Sequence, residues 1–263
     1  MTRRIALLLE YDGTDFAGSQ LQSGARTVQG VLEAAMEKTT GEQSRVAFAG
    51  RTDAGVHAEG QVASFVTASG LDCDTMRRAL NAWLPEDVVV RRVADVDIAF
   101  DPRRNAVRRR YRYEIENRPV RPALRRMRAW HVGQRLDEGA MARAACGVLG
   151  HRDFAAFASR LEDTGASTVR ELTRFDVVRE GDVVACLLEA NAFLPHQVRR
   201  MVGALAEVGK GKLGVEEYAG LLQGAPGSAR PGAPAYGLYL ERVEYEVDPF
   251  PGLTLEPESQ ATN

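Results

Sequence analysis

The stretch RVAFAGRTDAGVHAEGQVASFVT, residues 45–67, holds two apolar runs around a loop built mostly from small residues. RVAFAG (45–50) and QVASFVT (61–67) carry the β-branched and aromatic content of strands, and the glycines between them mark a turn. The loop contains one arginine, one aspartate and one histidine: Arg51, Asp53 and His57. In isolation such a loop reads as surface, with glycines turning the chain, Asp53 capping a neighbour and His57 facing water. Its surroundings decide otherwise.

Working outward, IALLLEY (5–11) reads as a strand and TVQGVLEAAMEKTTG (27–41) as a helix with Val28, Val31, Leu32, Ala35 and Met36 on one face. DTMRRALNAWL (74–84) is helical and stops before Pro85, and DVVVRRVADV (87–96) is a valine-rich strand. The order is βαββαβ. The second half repeats it: strand 108–117, helix 136–150, strands 169–180 and 182–191 around Gly181, helix 195–209 with Pro195 in its first turn, a further helix 215–223, and strand 236–247. Two such units predict an α+β fold of two tandem ferredoxin-like domains, residues 1–100 and 101–247. Helices would cover one face of each antiparallel sheet, and the two free faces would meet as a floor with a cleft between the domains. Residues 248–263 mix prolines, acids and polar residues without a period, which predicts a mobile tail.

At 263 residues and 44% hydrophobic content the chain can bury a sizeable core. No apolar run reaches the length of a membrane span, so a cytoplasmic protein without a targeting signal is expected. Cys73, Cys146 and Cys186 and the four histidines show no ligand spacing, which argues against a zinc site and a disulfide framework. The net charge of −2 hides a basic segment: residues 101–135 hold twelve arginines against three acids. With so few acids close in sequence to pair with them, this segment predicts a polyanion-binding stripe.

An aspartate is already ionised at neutral pH and needs orientation, plus a counter-charge if buried, to act as a nucleophile. Arg51 lies two residues upstream on the same side of an extended segment and could supply that charge or a phosphate contact. Ala54, Gly55 and Ala58 would let a substrate approach the backbone. Other phosphate and hydrolase motifs fail on their partners. A D-x-D site would need an acid at Gly55, a phosphate-binding glycine loop would need glycine at Ala204, and no G-x-S-x-G occurs. No cofactor is expected.

AGRTDAGVHAEGQV closely resembles the signature of the TruA-type tRNA pseudouridine synthases. LEYDGTDFAGSQ (9–20), NAWLPEDVVV (81–90), FDPRRNAVRRRYRYEI (100–115), NAFLPHQVRRMVGAL (191–205) and GLYL (237–240) are similar to further segments of that family, in the same order. The resemblance implies that Asp53 is the nucleophile, that Tyr111 lines a uracil pocket, and that Arg51 and Arg199 flank the aspartate, Arg199 reaching in from the second domain. It implies a homodimer acting on tRNA at positions 38, 39 and/or 40 of the anticodon stem-loop, without metal or membrane. On its residues alone Tyr111 reads as a core aromatic, but its place among arginines favours base stacking. Arg199 and Arg200 cannot both face inward on a helix whose apolar face is Val198, Met201, Val202 and Leu205, so one of them contacts solvent or RNA. His57 reads as structural. Three positions depart from the family pattern: Ser19 replaces a tryptophan, Pro102 an alanine, and Arg200 a frequent asparagine. The competing function is a non-catalytic ferredoxin-like RNA-binding protein.

Overall fold

A computed structural model describes residues 1–159, 167–229 and 232–251. The first half runs β1 (Arg3–Tyr11), α1 (Val28–Thr40), β2 (Ala47–Phe48), β3 (His57–Thr67), α2 (Cys73–Trp83) and β4 (Val88–Val96). The second runs β5 (Ala106–Glu116), β6 (Trp130–His131), α3 (Glu138–Cys146), β7 (Gly150–Asp153), β8 (Val169–Glu180), β9 (Val183–Ala190), α4 (Gln197–Gly209), α5 (Val215–Gly220) and β10 (Leu238–Tyr245). The α1 helix starts where Thr27 caps it by accepting from Gly30 N–H, and it buries Val28, Leu32, Ala35 and Met36 as its period requires. The α2 helix is capped by Asp72 and ends at Leu84, which the following proline holds in extended backbone.

All ten strands among the described residues belong to one sheet, ordered β4-β1-β3-β10-β5-β9-β8-β7, with β2 also paired to β3 and β6 to β5. The result is a mixed α+β protein whose large sheet is mostly antiparallel. The halves do not meet through free faces. They join edge to edge, through a parallel pairing of Tyr239 with His57 and Leu240 with Ala58. The edge of β3 is therefore shared, because β2 takes its far end at Ala63 and Ser64. This is why only Ala47 and Phe48 of the expected strand 45–50 pair. At the seam a Cβ on Gly60 would stand 2.3 Å from the Glu241 carbonyl, so only glycine lets the strands approach so closely.

Three other expectations change. The expected helix 136–150 spans only Glu138–Cys146, where the Gly147 N–H closes onto the Ala144 and Ala145 carbonyls, and Gly150, with a left-handed φ of 93°, opens β7. Pro195 lies before α4 and not in its first turn. In the expected tail, Phe250 is buried, and with Leu8, Val62 and Val243 it lines a hollow of about 230 Å³ that no helix lines. The remaining tail residues, 252–263, lie outside the described residues. No helix among the described residues is long and apolar enough to cross a membrane.

Candidate active site

The helix-side face of the sheet carries a cleft of about 360 Å³ where the two halves meet. Its size falls within the range of small-ligand sites. The loop 49–56 forms one wall, and the segment from Ala192 into α4 forms the other. Asp53 sits on the first wall and projects towards the second.

The loop is braced from below. Thr52 N–H donates to Ser19 Oγ (2.8 Å), Ser19 N–H donates to the Thr52 carbonyl (3.0 Å), and the Thr52 hydroxyl pairs with Tyr11 OH (2.8 Å). Gln61 Nε2 donates to the Gly50 carbonyl (2.8 Å), and Val56 N–H closes a turn onto the Asp53 carbonyl (3.1 Å). Every one of these contacts lies within two or three residues of Asp53, so its backbone is fixed. Ser19, at the position where a tryptophan was expected, is fully buried and serves this bracing. Gly55 makes the turn possible, since its φ of 78° strains any residue with a Cβ. The room for a substrate comes from Ala49 and Gly50, which line the cleft. Ala54, Gly55 and Ala58 do not line it, contrary to expectation.

Arg199 reaches Asp53 from the second half, with Nη1 at 3.1 Å from Oδ2, while its Nε donates to the Ala233 carbonyl. Arg51 is exposed and makes no ion pair with Asp53 among the described residues, so the counter-charge is Arg199. Arg200 turns away and donates to the Gly227 carbonyl (2.7 Å), holding a loop of the second half. Tyr111 lines the cleft, nearly buried, with its ring edge-on to Phe193 at 5.2 Å. Burial, with Tyr11 and Asp53 adding to it, raises the Tyr111 phenol far above its ordinary pKa, so it is a neutral hydroxyl.

His57 is structural. It is buried at the β3–β10 seam, stacked on Tyr239 at 4.8 Å, with Nε2 between the Met127 and Tyr236 carbonyls and Nδ1 facing Gly13 N–H. The Asp12 carboxylate, 3.0 Å from Nδ1, favours the charged form, but burial outweighs it and lowers the His57 pKa. The neutral ring donating from Nε2 satisfies Gly13 as well. Among the described residues no group of His, Cys, Asp and Glu is placed to hold a metal ion.

The arginine segment behaves differently from its linear reading. Alternation along β5 sends Arg108, Arg110 and Arg112 to the face opposite Tyr111, where acids, most of them distant in sequence, neutralise them. Glu189 takes Arg110 (3.0 Å) and Arg108 (3.3 Å), and Arg112 meets Glu59, Glu114 and Glu241. Arg125 pairs with Glu114 and Glu116, and Arg128 with Asp12. Arg109 alone of this strand's arginines shares the Tyr111 face. It is buried and donates to the carbonyls of Ala49, Arg103, Ala106 and Asn191, tying the loop to both halves.

What remains in the cleft is a basic rim that the linear charge count did not locate. Arg51, Arg103, Arg109, Arg170, Arg199 and His196 line it, and Asp53 is the only acid among the described lining residues. Arg170 lies 67 residues beyond Arg103, and no local sequence signal joins them. His196 was likewise missed. Its Nε2 stands 3.3 Å from Asp53 Oδ2, and it is the only described non-glycine residue with positive φ.

A family model described as tRNA pseudouridine synthase matches residues 8–103 and 144–246. A tRNA pseudouridine synthase A of Roseiflexus castenholzii is 46% identical over 251 residues, covering 94% of this chain and 92% of the relative. One from Azorhizobium caulinodans is 47% identical over 244 residues, with 92% and 94% covered, and one from Acetivibrio thermocellus is 42% identical over 245 residues, with 92% and 100% covered. With matches along nearly its whole length to proteins of that name, the chain belongs to the tRNA pseudouridine synthase family.

Proposed function

We propose that this protein isomerises uridine to pseudouridine in tRNA, at positions 38, 39 and/or 40 of the anticodon stem-loop, with Asp53 as the nucleophile. The observation that carries this reading is a single carboxylate, held by Arg199, in a cleft whose other charged lining residues are all basic. A polyanion is drawn to such a cleft, and the carboxylate is the one group in it suited to attack. The C1′–N1 bond of the target nucleoside breaks, C1′ rejoins the base at C5, the C5 proton leaves, and N1 gains a proton. Substrate and product contain the same atoms, so the reaction balances without an oxidant or reductant.

The target base must leave its stack, at a cost of a few kcal/mol, before it can enter the cleft. Arg51, Arg103 and Arg170 can offset that cost by holding backbone phosphates, and Tyr111 offers its ring to the base. Asp53 attacks C6 or C1′, or promotes elimination at the sugar. Deprotonation at C5 falls to Asp53 in preference to Tyr111, whose buried phenol resists forming a phenolate. We assign the chain to two tandem ferredoxin-like units, 1–100 and 101–247. Each half's strand order, β4-β1-β3-β2 and β10-β5-β9-β8, supports that division. A cytoplasmic homodimer gripping one tRNA completes the reading.

The test is pseudouridine mapping after incubation with unmodified tRNA bearing uridine at 38–40. Wild type should form pseudouridine there, and Asp53→Ala should lose on the order of 10⁴-fold or more in rate while still binding tRNA. Equal product from both would remove Asp53 from the chemistry. Salt-sensitive binding without product from wild type would instead make the protein an RNA binder.

A further inference from the structure

Two nitrogens converge on one oxygen of Asp53, Arg199 through a hydrogen bond and His196 through a close ion-pair approach. Arg199 Nη1 lies 3.1 Å and His196 Nε2 3.3 Å from Oδ2, and the Arg199 hydrogen bond goes to that oxygen. We propose that His196 is a positioning residue, which together with Arg199 locks the Asp53 carboxylate so that Oδ1 is the oxygen presented to the substrate. This rests on the reading of Asp53 as nucleophile.

The terminal torsion of an aspartate is broad and nearly two-fold, so one donor leaves its carboxylate free to rock and to exchange its oxygens. Arg199 cannot follow such motion, because its Nε is tied to the Ala233 carbonyl. A second polar contact on the same oxygen, arriving from a different residue, removes the remaining freedom. His196 and Arg199 occupy the N-cap and third positions of α4, so one helix end delivers both. The contact with His196 is attractive when Nε2 carries a proton, as in the ε tautomer or the imidazolium.

The backbone of His196 supports a purpose for the side chain. At φ 60° and ψ 5° it occupies the left-handed region, which is uncommon for a residue with a Cβ. Its neighbours hold it there. Gln197, fully buried, accepts from Leu194 N–H through Oε1 and returns its own N–H to the Leu194 carbonyl. Ser159 N–H donates to the Pro195 carbonyl, and Arg200 N–H to that of His196. The imidazole makes no capping bond to α4 and is 42% exposed, so neither helix capping nor core packing accounts for it. Strain held in place at a cleft wall is where function is to be looked for.

Substitution can separate backbone from side chain. His196→Gly adopts the same φ freely while removing the imidazole, and His196→Asn tolerates it while keeping an N–H donor. Single-turnover pseudouridine formation, tRNA Kd and Tm are measured for wild type and both variants. For His196→Gly the expected result is an unchanged or higher Tm, a Kd within about twofold of wild type, and a rate reduced on the order of 10- to 100-fold. His196→Asn should retain more of the rate than glycine does, and added imidazole should restore part of it to the glycine variant. A wild-type rate in His196→Gly, or a loss confined to Kd, overturns the proposal. Absence of product from wild type overturns the reading of Asp53 on which it rests, and so is distinguishable from failure of His196 alone.

Discussion

The two faces of the central strands use the same residue type to opposite ends. On the cleft face, Arg51 and Arg103 are exposed and Arg170 and Arg199 half-buried around a single carboxylate. On the reverse face, Arg108, Arg110 and Arg112 are locked into acids from β3, β9 and β10. On β5 itself the cleft face carries Tyr111 and the buried Arg109, which braces the loop, while Arg51, Arg103, Arg170 and Arg199 reach the cleft from other segments. A run of like charge in sequence becomes a patch only if tertiary structure leaves it unpaired.

The contrast can be broken at its strongest point on the reverse face. Glu189 is nearly buried and holds both Arg108 and Arg110, so Glu189→Ala leaves those charges without their main partner. Breaking a buried pair costs about 3–5 kcal/mol, but Arg108 is half exposed and Arg110 keeps Glu244 within 4.0 Å, which reduces the expectation to about 2 kcal/mol. Urea denaturation should show that loss, while the rate per folded molecule stays at the wild-type level. A stable variant with altered tRNA affinity would reverse the assignment of the two faces.

A second comparison sharpens the difference through salt. Arg103→Ala and Arg170→Ala should each weaken tRNA binding and lower the slope of log affinity against log salt by about 1, because each removes one phosphate contact. Arg108→Ala, on the other face, should leave that slope unchanged. Equal slopes for all three variants would mean that RNA does not distinguish the faces.

The smallest effect concerns the seam that joins the halves. His57 has a lowered pKa in the folded protein, chiefly through burial, so the unfolded chain binds its proton more readily. Stability from this group is complete above the unfolded value of about 6.5 and falls as pH drops through the lower folded value. Chemical denaturation between pH 7 and pH 5 should show that loss, and His57→Gln should flatten it at the expense of stability at pH 7.

Much of this was legible in the chain because it depends on neighbours in sequence. The period of 28–40 placed Val28, Leu32, Ala35 and Met36 in the core, the valines of 88–96 marked a strand, and Gly181 marked the turn between the strands 169–180 and 182–191. Asp53 and its partner Arg199 could be named through family resemblance, and the distance between them agrees. The misreadings share one origin. The arginines of β5 looked unpaired because Glu189 and Glu241 lie 79 and 129 residues away from their partners. His196 looked ordinary because its φ and its approach to Asp53 are invisible until α4 packs across the cleft.

The sequence by itself determined the main strands and helices of the two βαββαβ halves, the small-residue loop around Asp53 and the family to which the chain belongs, though not the short strands β6 and β7, since periodicity and motif spacing are local properties of a polymer. Only tertiary structure decided that the halves fuse edge to edge through β3 and β10, which arginines are neutralised, and that Arg199 and His196 from one helix end approach a single carboxylate oxygen. Those outcomes depend on pairing between groups far apart in the chain, and charge or strain acquires its sign only when the partner is in place.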